Sequence, residues 1–309
     1  MKNIIAIGRS KYLYDTIQLL NKNNFIIHAI ITQKPNDEYE IGIDDFRSLA
    51  SNIGCDFYND DDNNLESIIN IILKKKNIDI GISVNWRFKI EKKLIKKIKY
   101  GILNFHLGNL PDYKGNATPN WSILNNEKFI YCNIHKMENK LDSGDIIARK
   151  KILIKPRTYI GDILNEAENI APKLFLDSLK SLIKNSKYYK IKGSVDGIRC
   201  FPRNSNDGRI KWNNSAFDIL KLIRATSTPF NGAYCFYNDK KIKIWKASIR
   251  KLNQKIYAMP GQVIDFNLRS GHVTINCGID FLDIELISYE EMKMVNPIKV
   301  IKGIRKRLE

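Results

Sequence analysis

Long apolar runs are scarce in this 309-residue chain, and the first one, residues 4–7, is broken at once by Gly8, Arg9, Ser10 and Lys11. A run of that length is too short for a signal peptide or a membrane span, so no membrane insertion is expected. Cysteines are few: Cys55, Cys132, Cys200, Cys235 and Cys277 are odd in number, widely scattered and never in a CxxC pair. That disfavours a disulfide framework or a zinc site and fits a reducing cytoplasm. Two nucleotide signatures are also missing. The opening strand-like run leads into Gly8-Arg9-Ser10 with no G-x-G-x-x-G, and no G-x-x-x-x-G-K-[ST] occurs, so dehydrogenase and P-loop readings fall.

Positive charge, by contrast, is abundant. The formal net charge of +18 is the kind of balance seen in proteins that meet nucleic acid, anionic membranes or anionic small molecules. The lysines, however, are spread along the chain amid many Ile and Asn residues, and the dense runs at Lys74 to Lys76, Lys92 to Lys97 and Lys302 to Arg307 read as solvated helix faces and ends. Charge alone therefore does not predict nucleic-acid binding. The acidic stretch from Asp56 to Asp62 reads as a solvated turn rather than a metal site, and no metal is expected.

The N-terminal part alternates strand-like and helix-like segments. Residues 4–7, 25–31 and 78–84 read as strands. Helices are expected through about residue 21 after Ser10, over 46–53 stopped by Gly54, over 65–75 and over the basic segment 91–97. Such alternation predicts an α/β fold, a Rossmann-like, mostly parallel sheet with helices on both faces and ligands at the carboxyl ends of its strands. The turn after the first strand is one candidate: Arg9, Ser10 and Lys11 at a helix N-terminus suit a substrate phosphate, though a plain strand-to-helix turn reads equally well.

The chain is organised around residues 101–147. There the apolar run Ile102, Leu103, Phe105 contains two polar side chains, Asn104 and His106, which strand alternation places on one face. Further on, Leu141-Asp142-Ser143-Gly144-Asp145 sets an acid beside a glycine turn between strand-like segments 131–137 and 145–154. If that turn folds back over the strand, an amide, an imidazole and a carboxylate converge. An amide offers N–H donors to an oxyanion, a neutral imidazole accepts a proton from an amine, and a carboxylate orients the imidazole. Together they suit acyl or formyl transfer to an amine. A bare Asn-x-His more often serves a turn at a strand end, so the pair by itself does not decide the matter.

The wider stretch does more. Asn104-Phe105-His106-Leu107-Gly108-Asn109-Leu110-Pro111, then Tyr113, Gly115 and Trp121, then Leu141-Asp142-Ser143-Gly144-Asp145-Ile146-Ile147, resembles the signature of the N10-formyltetrahydrofolate-dependent formyltransferases. The resemblance implies that Asn104, His106 and Asp142 are catalytic and that N10-formyltetrahydrofolate is the co-substrate. It also implies that Trp86, Arg87 and Phe88, together with Asp142, line the folate pocket, although aromatics at a strand end are ordinary core as well. The adjacent carboxylate is expected to raise the His106 pKa. Tyr113, Lys114 and Asn116, in the loop up to Trp121, are the candidates for acceptor recognition, with Lys114 meeting a phosphate. Trp121 itself reads as a core anchor or a stacking residue.

Beyond a helical pattern over 159–183, the chain is expected to divide into a catalytic domain (1–184), a basic linker (185–207) and a C-terminal domain (208–309). Short strand candidates at 233–237, 241–248, 261–266, 272–277 and 281–288 read as a small OB-like β-barrel. Arg203, Asn206, Asp207, Gly208, Arg209 and Trp212 at the junction resemble the two-domain formyltransferases, most closely those acting on UDP-4-amino-4-deoxy-L-arabinose. That likeness makes Arg203, Arg209 and Trp212 substrate-binding candidates. It implies a sugar N-formyltransferase using a UDP- or dTDP-linked amino sugar for surface glycan synthesis, with a homodimer common in that group. Methionyl-tRNA formyltransferase is the alternative. Where the tRNA enzymes carry a basic insert after the second strand, this chain has Gln33-Lys34-Pro35-Asn36-Asp37-Glu38-Tyr39-Glu40, whose acids would repel an acceptor stem, so nucleic acid is not expected as a partner. A folate-deformylating hydrolase would use the same triad, and a non-catalytic nucleic-acid-binding protein would use the barrel alone.

Overall fold

The computed structural model describes residues 2–184 and 191–309; the first part of the expected linker, 185–190, lies outside them. Two compact units emerge. The first comprises Met1–Thr118, Phe129–Leu153 and Leu164–Phe201, and the second Pro119–Lys128, Ile154–Ile163 and Pro202–Glu309.

The first unit is built on a seven-stranded sheet. In chain order the elements up to residue 200 are β1 (Asn3–Gly8), α1 (Ser10–Lys22), β2 (Ile26–Thr32), α2 (Ile43–Ile53), β3 (Asp56–Asn59), α3 (Leu65–Lys75), β4 (Ile80–Val84), α4 (Lys92–Ile95), β5 (Ile102–Leu107), β6 (Tyr113–Gly115), the helix α5 (Thr118–Leu124), which from Pro119 onward belongs to the second unit, β7 (Phe129–Lys136), β8 (Ile146–Leu153), α6 (Ile160–Ile183) and β9 (Ile198–Cys200). Strand order is β3-β2-β1-β4-β5-β7-β8. The five strands from β3 to β5 are parallel, while β7 and β8 add antiparallel. The central strands are continuous apolar runs because both faces are covered: Ile5, Ile7, Ala29 and Ile31 pack with Ile68, Ile69 and Ile72 of α3, and α1 buries Leu13, Ile17 and Leu20. The helix α2 ends at Gly54, whose φ of +71° is the left-handed C-cap expected after Ile53.

Three short pieces depart from the sequence reading. Part of the acidic stretch from Asp56 to Asp62, expected as a turn, is strand β3, paired with β2. The expected linker contains β9, which pairs in parallel with β6, so at least that part is integral to the first unit. The tail, expected as a solvated helix end, is paired extended chain at residues 306–309.

The second unit adds α7 (Ala216–Thr226), β10 (Ala233–Tyr237), β11 (Lys240–Arg250), β12 (Val263–Asn267), β13 (His272–Asn276), β14 (Phe281–Tyr289) and β15 (Met292–Val295). Its antiparallel sheet runs β10-β11-β14-β13-β12, with β15 on β14. The two end strands are joined through the tail: Val263 N–H donates to Lys306 O and Leu308 N–H to Gly261 O on one side, while Phe236 and Glu309 exchange both backbone bonds on the other. Inward residues Ala233, Cys235, Ile242, Ile244, Val273, Ile275, Leu282 and Ile284 pack on Ile219 and Ile223 of α7. Among the described residues no helix is long and apolar enough to cross a membrane.

Candidate active site

The site grows out of the point where the sheet changes from parallel to antiparallel. On β5, Asn104 and His106 share a face, and β7 runs antiparallel beside it with Asn104 opposite His135 and His106 opposite Asn133. The turn between β7 and β8 returns Asp142 to that same face. Its backbone adopts φ +47°, unusual for a residue with a Cβ. Gly144 fixes the turn by close approach, since a Cβ there would lie 1.9 Å from the Lys136 carbonyl oxygen. Gly108 does the same for His106, with a hypothetical Cβ only 2.4 Å from its Nε2. Amide, imidazole and carboxylate therefore do meet.

Asp142 Oδ2 is 3.4 Å from His106 Nδ1 and accepts the Gly115 N–H at 2.9 Å, while Oδ1 is 3.5 Å from His135 Nε2. These side chains are nearly sealed: His106 is 8 % exposed, Asp142 7 % and His135 2 %. Burial alone would raise the Asp142 carboxyl; the two imidazoles and the Gly115 N–H outweigh it and hold the group well below the usual carboxylate range. For His106 the balance runs the other way. Burial outweighs the attraction of Asp142 and lowers its pKa; the carboxylate does pull upward as expected, but the net shift is down. Burial thus favours the neutral imidazole. It nonetheless faces two acceptors, the Tyr113 carbonyl 3.0 Å from Nε2 and Asp142 on Nδ1. One N–H serves one of them, and the proton that a base takes up would serve the other, partly offsetting the cost of burying the imidazolium.

The first 179 residues carry a further mark of this chemistry: residues 2–179 match the family model described as formyl transferase, and 203–305 match formyl transferase, C-terminal domain. The chain belongs to the formyl transferase family. A methionyl-tRNA formyltransferase of Rickettsia canadensis is 28 % identical over 307 residues, 98 % of this chain and 97 % of its own length. The bifunctional polymyxin resistance protein ArnA of Wigglesworthia glossinidia brevipalpis is 32 % identical over 241 residues, 78 % of this chain but 35 % of its own length. Among solved structures, the sugar 3N-formyl transferase WlaRD, crystallised with dTDP and 5-N-formyl-THF, superposes with a TM-score of 0.65 at 21 % identity, covering 92 % of this chain and 97 % of its own. An N-formyltransferase from Helicobacter canadensis in complex with folinic acid and dTDP-3-aminofucose gives 0.64 at 20 % identity, covering 92 % and 99 %.

Other candidates in this formyl transferase fall into two groups. Trp86, Arg87 and Phe88 follow β4, the strand beside β5, with Ser83 paired to Asn104. Trp86 and Phe88 meet edge to face at 6.4 Å, Arg87 is exposed and lies over Phe88, and the Trp86 indole N–H is buried without a partner. An orphaned donor beside an exposed cation is compatible with a heteroaromatic ligand carrying acceptors. Asn116 is exposed, as is Arg209, which lies over Phe236, while Arg203 lies over Trp121 at 5.1 Å.

The remaining candidates are committed to the fold. Arg9, expected at a phosphate, is buried and donates to Asn85 O, Lys34 O and Asn36 Oδ1 at 3.0, 3.0 and 2.8 Å. Ser10 is buried at φ +73° and accepts from Asn85 Nδ2, and Lys11 pairs with Asp15 four residues on. Lys114 is buried, its ammonium donating to the carbonyls of Ser194 and Asp196. Trp212 belongs to the core of the second unit. Tyr113 is buried too, and contributes its carbonyl to His106.

One residue of the cluster was not foreseen. Sequence pattern alone does not single out His135, because residues 131–137 read as an ordinary strand flanking the turn. The signal was available: it is one of four histidines in the chain, and it sits on the segment that delivers Asp142, in the parity that shares a face with Tyr131 and Asn133.

Proposed function

We propose that this chain transfers the formyl group of N10-formyltetrahydrofolate to the amine of a nucleotide-linked amino sugar. The observation that carries formyl transfer is the buried His106 held between Asp142 and the Tyr113 carbonyl, two residues along β5 from Asn104. The folate supplies the formyl carbon, and its bond to N10 breaks as the amine nitrogen takes that carbon. Asn104 donates an N–H to the formyl oxygen as charge gathers there. His106 takes the proton released by the amine, with Asp142 supporting the imidazolium and relaying the proton toward N10. Trp86, Arg87 and Phe88 are assigned to the folate side.

The sugar rather than tRNA is favoured by residues 33–40. Their acids Asp37, Glu38 and Glu40 give the segment a sign that repels phosphate backbones, and Lys34, Asn36 and Tyr39 are drawn onto Arg9. The likeness to structures containing dTDP supports the same reading. The second reading, methionyl-tRNA formyltransferase, is favoured by the full-length likeness to the Rickettsia enzyme. One experiment separates them: incubation with N10-formyltetrahydrofolate and, in turn, UDP- and dTDP-linked amino sugars and methionyl-tRNA. Formylated sugar and tetrahydrofolate are the expected products. Formylation of the tRNA alone, lost steeply with added salt, would replace the sugar reading, and tetrahydrofolate plus formate without any acceptor would mark a hydrolase.

A further inference from the structure

His135 has no part in the proton path just described, yet its ring is fixed at both nitrogens. Nδ1 lies 2.9 Å from the Lys136 carbonyl oxygen. A carbonyl oxygen only accepts, so Nδ1 carries a hydrogen. In the neutral ring Nε2 then offers a lone pair, and 3.1 Å away stands Nδ2 of Asn104, which has N–H to give. Were the Asn104 amide turned over, its oxygen would face that lone pair with no proton between them. A neutral His135 therefore admits one orientation of the amide and rejects the other.

We infer that His135 is a positioning residue for formyl transfer: it accepts one N–H of Asn104 and so holds the amide with its second N–H as the donor to the forming oxyanion. The inference rests on the role proposed for Asn104, not on which amine is the acceptor. Its physical content is preorganisation. An amide free to rotate presents oxygen as often as nitrogen and must be reoriented during the reaction, whereas a locked one is in place beforehand. The other groups facing His135 do not provide the lock. Asp142 Oδ1, 3.5 Å from Nε2, is an acceptor with no hydrogen to offer a lone pair, and the His106 ring lies edge-on with centroids 6.3 Å apart. A second proton on Nε2 would make that nitrogen a donor, to Asp142 or to the oxygen of a turned-over Asn104 amide, which is the competing state the experiment must see.

The test joins a spectrum to a mutant cycle. In the full chain labelled with 15N-histidine, His135 is expected to show a protonated Nδ1 and an unprotonated Nε2, and Asn104→Ala is expected to move the Nε2 resonance while leaving Nδ1 in place. In turnover, with whichever acceptor the wild type formylates, His135→Leu should lower kcat about tenfold, less than the 10²–10³ of deleting an oxyanion donor outright, with both KM values unchanged. His135→Gln, whose side-chain oxygen can accept the same N–H, should restore most of the rate. In an Asn104→Ala background His135→Leu should cost nothing more. A protonated Nε2, a Gln variant no better than Leu, or an undiminished Leu effect without Asn104 would each overturn the inference. The spectrum reads the lock without turnover, so a chain that formylates no sugar but formylates another amine sinks the sugar reading and leaves the His135 result standing.

Discussion

At the carboxyl end of β5, Asn104 and His106 stand with Asp142; at the carboxyl end of β1, Arg9 and Ser10 stand with Asn85 and the segment that follows β2. Both places gather polar and charged side chains at strand ends, and both read from sequence as ligand sites. They differ in how their hydrogen-bonding capacity is used. Around β1 three of the five N–H groups of the buried Arg9 guanidinium have internal acceptors and the Ser10 hydroxyl accepts from Asn85, so most of that capacity is spent within the fold. Around β5 a neutral His106 has one N–H for two acceptors and Asn104 keeps an N–H beyond the one at His135. A shortage of protons, not the presence of polar residues, separates the reactive corner from the structural one.

That contrast can be broken most forcefully at β5. Asn104→Ala or His106→Ala should lower kcat by 10²–10³, about 2.7–4 kcal/mol of barrier, with thermal midpoints close to wild type; wild-type turnover in either would erase the distinction. The pH profile comes next. Because burial lowers the pKa of His106 from 6.5, its neutral form persists to more acid solution than free imidazole, and the rate should fall about tenfold per pH unit only below its lowered pKa. A limb centred above 6.5 would mean that the carboxylate wins after all. Since Asp142 is the attraction that opposes burial, Asp142→Asn should move the limb to still lower pH, alongside loss of rate. At β1 the order of effects should invert: Arg9→Ala removes three partly buried hydrogen bonds and should cost about 1–3 kcal/mol of stability in a urea melt, with the KM for nucleotide acceptors little changed. A selective rise in that KM would restore Arg9 as a phosphate ligand. Smallest of all, Lys11→Ala removes a half-exposed pair with Asp15 and should change stability by no more than about 0.5 kcal/mol.

What the sequence disclosed follows the range of the interactions involved. Helix α3 appears at the residues its periodicity marked, and β10 likewise, because both are set by side-chain spacing within a few residues. The meeting of Asn104, His106 and Asp142 was legible for a related reason: strand parity places the first two, and a glycine turn returns the third. Hidden features depend on partners distant in sequence. The acceptors of Arg9 lie 25, 27 and 76 residues away, and those of Lys114 lie 80 and 82 away, so neither side chain announces that it is occupied. Strands β6 and β9, three residues each, are too short to show a period. The upward pull of Asp142 on His106 is legible because a neighbouring acid is visible in a sequence, whereas the depth of burial that outweighs it is not.

The pairing of residues 306–309 with both β10 and β12 has a practical corollary. These few residues act as the clasp of the second unit, each side of the strip occupied by a different strand. Trimming the chain after Arg305 would bare two hydrogen-bonding margins at once, each a template for another molecule's backbone. Expression work that shortens this end should then yield aggregates, whereas an extension placed beyond a flexible spacer leaves the clasp shut.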